Sequence, residues 1–394
     1  GGYDMLTKIT LDNFKSFKSK VTVDLTKTNY AILPQNVADN DVLKGCIFVG
    51  ANASGKSTII LGVKLLLDFL FSERDLNSGI FLCMFGDSPC YSLTYEFLIE
   101  NETINYSFEV DTLKNMISEK LYLGEHLMLE RMGLSAKSYI AQPKGVNYDE
   151  TDVGKDTLFL RTLYFNTKFA SNPILSAWME YLKNSIYINM FARTIISYGN
   201  MDVSVARYLD RQGCDSINNF FNEYNFEQNI EYEHSSKGGR VQLVVGNVDN
   251  EKYIFFKRKG IEVPIPFSEE SLGNQNLLHI LPAFLSVIQK GGMLLIDEFS
   301  SGFHNELESL MVRYFMEKAN HAQLLFVSHS TNLLSNSILR PDQEYSVEFQ
   351  NESGSTIKRF SSEQPRSAQN IEKMYVSGVF GGLPNYKEVT DEVK

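Results

Sequence analysis

Hydrophobic and polar positions are arranged along this chain in patterns typical of a mixed α/β protein. Alternation of the two kinds of residue predicts a first pair of strands at Lys8–Phe17 and Val21–Leu25. Alternation also predicts a hairpin over residues 91–110 and further antiparallel strands at Lys120–Leu123 and Leu127–Arg131. These segments together predict an antiparallel β-subdomain.

The middle of the chain has a different pattern. From Pro173 to Phe226, apolar residues recur at spacings of three and four, as the buried face of a helix requires. Strand patterns return at Val241–Val245 and Tyr253–Phe256. Polar, glycine-containing loops at 145–156 and 234–240 bracket this stretch, which we interpret as a helical insert.

We expect the chain to divide into a discontinuous core and one insert. The core comprises residues 5–110 and 240–394, and a strand-plus-helix lobe comprises residues 111–239. Residues 1–4, Gly-Gly-Tyr-Asp, are typical of an expression scar, so we expect the native chain to begin at Met5.

Three short apolar runs without alternation predict strands that are buried on both faces. They are Cys46–Val49, Met293–Ile296 and Leu324–Val327, and each is followed by residues that can carry chemistry. In open α/β sheets, ligands bind at the carboxyl ends of such strands. The sequence therefore predicts a central parallel sheet with a site along one edge.

The first run leads into a phosphate-binding loop. Residues 50–58, GANASGKST, match the pattern G-x-x-x-x-G-K-S, and a helix-like stretch, Ile59–Phe71, follows. Backbone N–H groups of such a loop and the helix N-terminus attract phosphate. We expect Lys56 to bind the β- and γ-phosphate oxygens and Ser57 to bind Mg²⁺. The predicted nucleotide-binding residues are Gly50, Asn52, Ala53, Ser54, Gly55, Lys56, Ser57 and Thr58.

The second and third runs end in the predicted catalytic side chains. Asp297 is expected to hold Mg²⁺, directly or through water, and Glu298 to orient and deprotonate the attacking water. His329 follows the third run and is expected to hydrogen-bond the γ-phosphate. Lys56, Glu298 and His329 are thus the predicted catalytic residues.

A second anion site is predicted at Ser271 and Gly273, which precede the helix-like run Leu277–Ile288. Because one protomer does not need two γ-phosphate loops, we expect this loop to contact ATP bound to a second copy. The alternative is an ordinary N-cap before a core helix, and the residues alone leave both interpretations open.

Composition and charge limit the function. At 394 residues, 43% hydrophobic and 22% charged, the chain is typical of a globular protein. Its net charge of −11 disfavours sequence-independent adhesion to nucleic acid. The densest basic segment, Lys252–Lys259, is interpreted as a hairpin with a solvated tip rather than a nucleic-acid groove. The four cysteines lack metal or disulfide spacing, and no apolar run is long enough to span a membrane, so we expect a cytoplasmic protein.

These motifs together resemble the ABC-type ATPases of the SMC, RecF and OLD group. Leu272 stands in the signature loop where transporters carry Gly. The matching segments are Asn13–Phe17 (opening strand), Gly50–Thr58 (Walker A), Ser271–Gln275 (signature loop), Leu294–Glu298 (Walker B), Phe303–His304 (D-loop) and Ser328–His329 (switch histidine).

Within that group the chain most resembles the single-lobe AAA-family ATPases of the RloA/AbiLi type, through Glu119–Leu121, Ser330–Leu334 and Gly378–Pro384. The resemblance implies a P-loop NTPase fold of the ABC-ATPase type, with a central mixed or parallel sheet, an antiparallel β-subdomain and a helical insert. It implies Mg²⁺-dependent ATP hydrolysis at sites between protomers of a homodimer or higher homo-oligomer. It also implies a sensor or regulator of an effector encoded nearby, a nuclease or toxin, in bacterial anti-phage (abortive infection) defence.

Departures from the wider group narrow the alternatives. No heptad coiled coil separates the motifs, which counts against a chromosome-tethering SMC protein. No acidic metal cluster follows residue 340, which counts against an OLD-type nuclease, and no Q-loop glutamine can be assigned. The alternative function is an SMC/RecF-like DNA-binding repair or replication ATPase, which would need a basic groove.

Overall fold

The computed structural model describes residues 4–76, 78–140, 148–150, 153–166, 169, 171–199, 201, 203–234 and 252–384. The strands in these residues are β1 (Met5–Asp12), β2 (Val21–Asp24), β3 (Gly45–Val49), β4 (Cys90–Ile99), β5 (Glu102–Asp111), β6 (Met116–Leu123), β7 (His126–Met132), β8 (Ser135–Ser138), β9 (Tyr148–Glu150), β10 (Ile186–Asn189), β11 (Thr194–Ser197), β12 (Gln228–Glu233), β13 (Tyr253–Arg258), β14 (Ile265–Pro266), β15 (Gly292–Asp297), β16 (Ala322–Val327), β17 (Glu344–Phe349) and β18 (Ser355–Arg359). The α-helices are α1 (Lys56–Phe71), α2 (Phe159–Phe165), α3 (Pro173–Lys183), α4 (Val205–Gln212), α5 (Asp215–Glu223), α6 (Leu272–Lys290), α7 (Asn305–Lys318) and α8 (Ile371–Val376).

A core sheet has the strand order β11–β10–β15–β16–β3–β17–β18. Its five inner strands run parallel, and the strand at each edge is antiparallel to its neighbour. Strands β3, β15 and β16 are buried along their whole length, as continuous apolar runs require. Their side chains alternate between two hydrophobic cores, one shared with α1 and α3 and the other with α6 and α7.

The antiparallel sheet has the order β2–β1–β4–β5–β6–β7–β8–β9. In β4, every second side chain is fully buried, and the buried face packs with α1 in the first core. A small third sheet contains β12, β13 and β14. The predicted α/β class, with a central mixed sheet beside an antiparallel β-subdomain, is confirmed.

Sheet pairing crosses the predicted boundary between core and insert. The predicted boundary at residue 110 falls inside β5, which pairs with β6, and β10 of the insert pairs with the core strand β15. The division into 5–110, 111–239 and 240–394 stays a prediction. The predicted strand at Val241–Val245 lies outside the described residues.

Two element predictions are wrong. The stretch Pro173–Phe226 is not all helical, because β10 and β11 interrupt it; Ile186 and Ile188 are buried by pairing with β15, a contact that local periodicity does not contain. The first strand ends at Asp12 rather than Phe17, because the chain turns back there and Phe14 and Phe17 exchange backbone hydrogen bonds of 2.9 Å. Among the described helices, none is both long enough and apolar enough to cross a bilayer.

Candidate nucleotide-binding site

Strands β3, β16 and β15 are neighbours in the core sheet and run parallel, so their carboxyl ends meet at one edge. A cavity of about 230 Å³ lies at this edge. The predicted residues that line it are Asn52, Ala53, Ser54, Gly55, Lys56, Ser57, Thr58, Glu298 and His329; Ser16 and Val327 complete the lining. Gly50 and Asp297 reach the same group through hydrogen bonds to Lys56 and Ser57.

The phosphate loop is held against the turn that follows β1 and against β18, the last strand of the core sheet. Ser355 Oγ lies 2.5 Å from Ser54 O and 2.8 Å from Ser16 Oγ. Gly55 has φ 111°, and an added Cβ would lie 2.7 Å from both the Ser16 and Ser355 hydroxyl oxygens. Only glycine fits at this position. The helix α1 begins directly after this glycine, at Lys56, which is three residues before the predicted start at Ile59.

Lys56 is the main positive charge of the cavity. Its side chain is 5% exposed, and Nζ donates to Gly50 O at 2.5 Å and lies 3.3 Å from His329 Nδ1. Burial lowers the pKa of Lys56 to about 8, although the nearby carboxylates of Glu298 and Asp297 oppose this shift. A desolvated ammonium that is bonded only to neutral groups is suited to a phosphate anion.

Ser57 and Asp297 place two oxygen ligands together at the start of α1 and the end of β15. Ser57 Oγ donates to Asp297 Oδ1 at 2.8 Å, and Asp297 is 8% exposed. Burial raises the pKa of Asp297, while the Ser57 hydrogen bond opposes the shift. In the described residues no group of three or more His, Cys, Asp or Glu side chains could hold a metal. A cation here would need oxygens from elsewhere, as Mg²⁺ takes from substrate phosphates and water.

Ser54 adds a second sign that the cavity is shaped for a polar ligand. Its hydroxyl oxygen is buried and lacks a hydrogen-bond partner within the protein, and the side chain lines the cavity. Buried hydroxyl groups without partners are uncommon and need an explanation. The residues present therefore fit a bound phosphate group together with a divalent cation.

Glu298 occupies a strained backbone position beside this cavity. It follows β15 with φ 56° and ψ 44°, a left-handed conformation that costs a non-glycine residue about 1–3 kcal/mol. Its Oε2 accepts from Ser301 Oγ at 3.2 Å. The conformation aims a carboxylate into the cavity one position after Asp297, where the residues of a regular strand would face opposite sides.

His329 also lines the cavity. Its backbone N–H donates to Ser300 Oγ at 3.1 Å, which ties the loop after β16 to the turn after Glu298. Partial burial and the adjacent Lys56 ammonium lower the pKa of His329, which favours the neutral ring. A neutral imidazole can accept or donate one hydrogen bond at the phosphate position.

The signature-loop residues lie elsewhere in the chain. Ser271 caps α6, its Oγ accepting from Asn274 N at 3.3 Å, and nothing lies within 4 Å of a Cβ added at Gly273. Both residues line a separate cavity of about 650 Å³, together with Phe303 and His304. The structure therefore does not bring Ser271 and Gly273 to the phosphate loop within one chain, and the N-cap interpretation describes what Ser271 does there.

The profile of one protein family, described as "AAA domain, putative AbiEii toxin, Type IV TA system", matches residues 47–335. The chain belongs to this family of AAA domains. No curated protein matches the sequence of this AAA domain.

Solved structures similar to this AAA domain include three SMC head domains. The SMC head domain from Thermotoga maritima has 16% identity and a TM-score of 0.47, covering 90% of this chain and 98% of its own. An SMC head bound to the C-winged helix domain of ScpA has 13% identity and a TM-score of 0.47, covering 90% and 97%. An SMC head with an extended coiled coil, bound to the C-terminal domain of ScpA and derived from Pyrococcus furiosus, has 12% identity and a TM-score of 0.46, covering 92% and 98%.

Two further polar residues of the AAA domain were not found from sequence. Glu308 on α7 is fully buried, and its carboxylate accepts from the hydroxyls of Ser330, at 2.6 Å, and Ser328, on either side of His329. Burial raises the pKa of Glu308, while these two hydrogen bonds oppose the shift. Asn189 ends β10 in register with Asp297. The helical interpretation of its segment hid Asn189, and no local signal marks Glu308.

Proposed function

We propose that this AAA domain binds and hydrolyses Mg²⁺–ATP at sites completed by a second copy of the chain. The observation that carries the proposal is the convergence of Lys56, the Ser57–Asp297 pair and Glu298 on one cavity. A cation, an oxygen-rich metal position and a carboxylate base are the groups that phosphoryl transfer to water requires.

Each side chain has a defined part. Lys56 attracts the β- and γ-phosphate oxygens from a site where burial strengthens the attraction. Ser57 and Asp297 would hold Mg²⁺, and a bound Mg²⁺ would neutralise negative charge on the phosphates. Glu298 accepts a proton from the attacking water, and His329, which lines the same cavity, offers a hydrogen bond to the γ-phosphate.

The size and content of the two cavities support a shared site. The phosphate-loop cavity, about 230 Å³, is smaller than the roughly 300–1,000 Å³ typical of ligand sites. Ser271 and Gly273 present a helix N-terminus to a different cavity on the same chain. In a dimer with a two-fold axis, the Ser271–Gly273 loop of each copy would lie opposite the phosphate-loop cavity of the other copy, and both sites would be complete.

We extend the proposal to regulation of an effector, a nuclease or toxin, in bacterial anti-phage defence. This extension rests on the resemblance to RloA/AbiLi-type ATPases; the description of the matching family names a putative toxin and a toxin–antitoxin system, not a regulator of a separate effector. ATP would favour the closed arrangement of the two copies only through contacts made in that arrangement, and hydrolysis would remove them. Co-purification of the chain with the product of the neighbouring gene, with and without ATP, tests this extension.

A complementation experiment tests the shared site. Lys56→Ala disables the phosphate-loop half and Ser271→Arg disables the other half, so each variant alone is expected to lack ATPase activity. In a mixed dimer, one of the two sites retains both intact halves. An equimolar mixture is therefore expected to recover about a quarter of wild-type activity, because half of the dimers are mixed and each has one working site.

Two outcomes would overturn the proposal. If the mixture stays inactive while both variants fold and associate, the halves do not meet across copies. If Ser271→Arg alone hydrolyses ATP like the wild type, the signature loop takes no part. Controls are each variant alone and a mixture of Lys56→Ala with wild type.

The same assay separates the DNA-dependent alternative. Stimulation of the ATPase by duplex DNA, lost steeply as salt rises, would favour it. The hairpin that sequence analysis singled out gives it little support, because three of its four basic residues pair with glutamates and the fourth, Lys252, lies over the ring of Tyr232. The pairs are Lys257–Glu231, Arg258–Glu270 and Lys259–Glu227.

A further inference from the structure

A segment near the end of the described chain packs directly against the phosphate loop. We name residues 377–384, which follow α8, the C-terminal strap. Ala51 N donates to Gly382 O at 2.9 Å, and a Cβ added at Gly382 would lie 3.6 Å from Gly50 Cα. The strap lies beyond the residues 47–335 that the family profile matches. This contact therefore joins the matched AAA domain to a segment beyond it.

The peptide unit between Gly50 and Ala51 connects the strap to the catalytic lysine. Its carbonyl, Gly50 O, accepts from Lys56 Nζ at 2.5 Å, and its N–H donates to Gly382 O. Because a peptide unit is planar, fixing the direction of the N–H also fixes the direction of the carbonyl. The strap thereby sets the direction of the group that holds the Lys56 ammonium.

The strap is itself firmly anchored. Phe380 is buried and stacks on Phe360 with ring centroids 3.9 Å apart, and Ser346 Oγ donates to Phe380 O at 2.5 Å. Tyr375 OH donates to Gly382 O at 3.3 Å. These contacts bind the strap to β17 and to the turn after β18, so its carbonyl is presented to the loop from a fixed position.

We propose that the C-terminal strap is a positioning element of the nucleotide site, acting through the Gly382 carbonyl on the Gly50–Ala51 peptide and hence on Lys56. Its effect on ATP rests on the proposed function; its effect on the loop backbone does not. Gly382 has φ 77°, and a Cβ there would lie 3.1 Å from Ser346 Cβ and 3.4 Å from Val347 O. A side chain at this position must therefore displace the strap or its neighbours.

Gly378 supplies a matched control within the same strap. It has φ 90°, but the nearest atom to an added Cβ is Leu383 Cδ1 at 4.0 Å. Gly378→Ala and Gly382→Ala both place alanine in a left-handed conformation and should lower the unfolding temperature, Gly382→Ala by more because of its close contact with Ser346. Of the two, only Gly382→Ala adds a Cβ in close contact with β17, at Ser346 Cβ, and so shifts the part of the strap whose carbonyl bonds to Ala51.

The first measurement is the Kd for Mg²⁺–ATP, determined by calorimetry on the full chain. Gly382→Ala is expected to raise the Kd about tenfold, because the hydrogen bond from Ala51 N–H to Gly382 O is displaced and the Gly50 carbonyl no longer fixes the Lys56 ammonium. The Kd of Gly378→Ala should stay within about twofold of wild type. Equal affinities for the two variants, or unchanged affinity for Gly382→Ala, would overturn the proposal.

The second measurement needs no nucleotide. Amide hydrogen exchange at Ala51 in the free chain should be faster in Gly382→Ala than in Gly378→Ala or wild type. If the wild-type chain does not bind Mg²⁺–ATP, the proposed function fails, but the exchange measurement still tests whether the strap positions the loop. Exchange at Ala51 in Gly382→Ala that equals the wild-type rate would overturn the strap proposal. Should Gly382→Ala not fold, Tyr375→Phe removes one of the two hydrogen bonds to Gly382 O and is expected to shift exchange in the same direction, and wild-type exchange there has the same adverse meaning.

Discussion

Two loops in this chain lead glycine and serine residues into a helix, and their surroundings differ. The loop before α1 has Lys56, Asp297 and Glu298 within one group of contacts. The loop before α6 has Ser271 bonded to its own helix and an exposed Leu272 beside it. A helix N-terminus contributes only about 0.3–1 kcal/mol toward an exposed anion. The lysine and the carboxylates at the end of β15 are therefore what the first loop has and the second lacks, and in the proposed function the second loop acts only on nucleotide held by another copy.

Removal of the base tests the loop before α1 most strongly. Glu298→Gln keeps the size of the side chain and the Ser301 contact but cannot accept a proton, so turnover should fall about 10²–10⁴-fold. ATP binding should persist, because Lys56, Ser57 and Asp297 are unchanged. Stopped ATP turnover with retained nucleotide, measured by filter binding, is the expected result.

The same variant sharpens the comparison between the loops. With hydrolysis blocked, ATP should accumulate the closed dimer, which light scattering detects, and adding Ser271→Arg should abolish that dimer without abolishing binding. If Glu298→Gln hydrolyses ATP at the wild-type rate, Glu298 is not the general base. A dimer that persists with Ser271→Arg would show that the second loop does not contact nucleotide.

A smaller effect is expected at Glu308, which holds the loop after β16 that carries His329 to the phosphate-loop cavity. Glu308→Leu removes the acceptor for Ser328 and Ser330, so the intervening His329 should lose its fixed position. Lost charge-assisted hydrogen bonds cost about 1.5–3 kcal/mol where they act, and we expect about a tenfold fall in kcat with little change in KM. Steady-state kinetics measure both quantities.

Rescue separates positioning from a general loss of stability. Glu308→Gln retains an oxygen acceptor and should recover most of the lost kcat, whereas Glu317→Leu, an exposed position on the same helix, should match wild type. If Glu308→Gln is as slow as Glu308→Leu, or if KM rises in parallel with falling kcat, the positioning role is wrong.

What the sequence could predict in this site was local. The three continuous apolar runs and the residues directly after them gave β3, β15, β16 and their terminal side chains, because a buried strand and a phosphate loop each fit within about ten residues. The structure places the predicted groups as expected at one edge. Their roles in binding and hydrolysis stay predictions until the variants above are measured.

The remaining features depend on contacts between distant segments. Asn189 reaches the edge only because β10 pairs with β15, and a four-residue strand carries too little periodicity to outweigh the helical pattern around it. Glu308 and Gly382 have hydrogen-bond partners that packing alone brings near. Such pairings are set by tertiary structure, which overrides local propensity.

The smallest predicted effect is a pH dependence that belongs to the first loop alone. Burial lowers the pKa of Lys56 to about 8, and a bound phosphate would raise it, so binding above that pH requires uptake of a proton. Affinity for Mg²⁺–ATP should therefore be greatest below pH 7 and fall as pH rises through 8, by about twofold between pH 7 and 8 and about tenfold by pH 9. Calorimetry in buffers of different ionisation enthalpy would detect the proton taken up.

Lys56→Arg provides the control for that pH dependence, because a guanidinium stays charged throughout this range. Its absolute affinity is expected to be lower, since the larger group must fit beside Gly50 O and His329, but its affinity should not change between pH 7 and 9. Ser271→Arg, which alters only the second loop, should keep the wild-type pH dependence. A slope that persists in Lys56→Arg would assign the titration to another group and would remove the argument that a desolvated lysine makes the first loop competent to bind by itself.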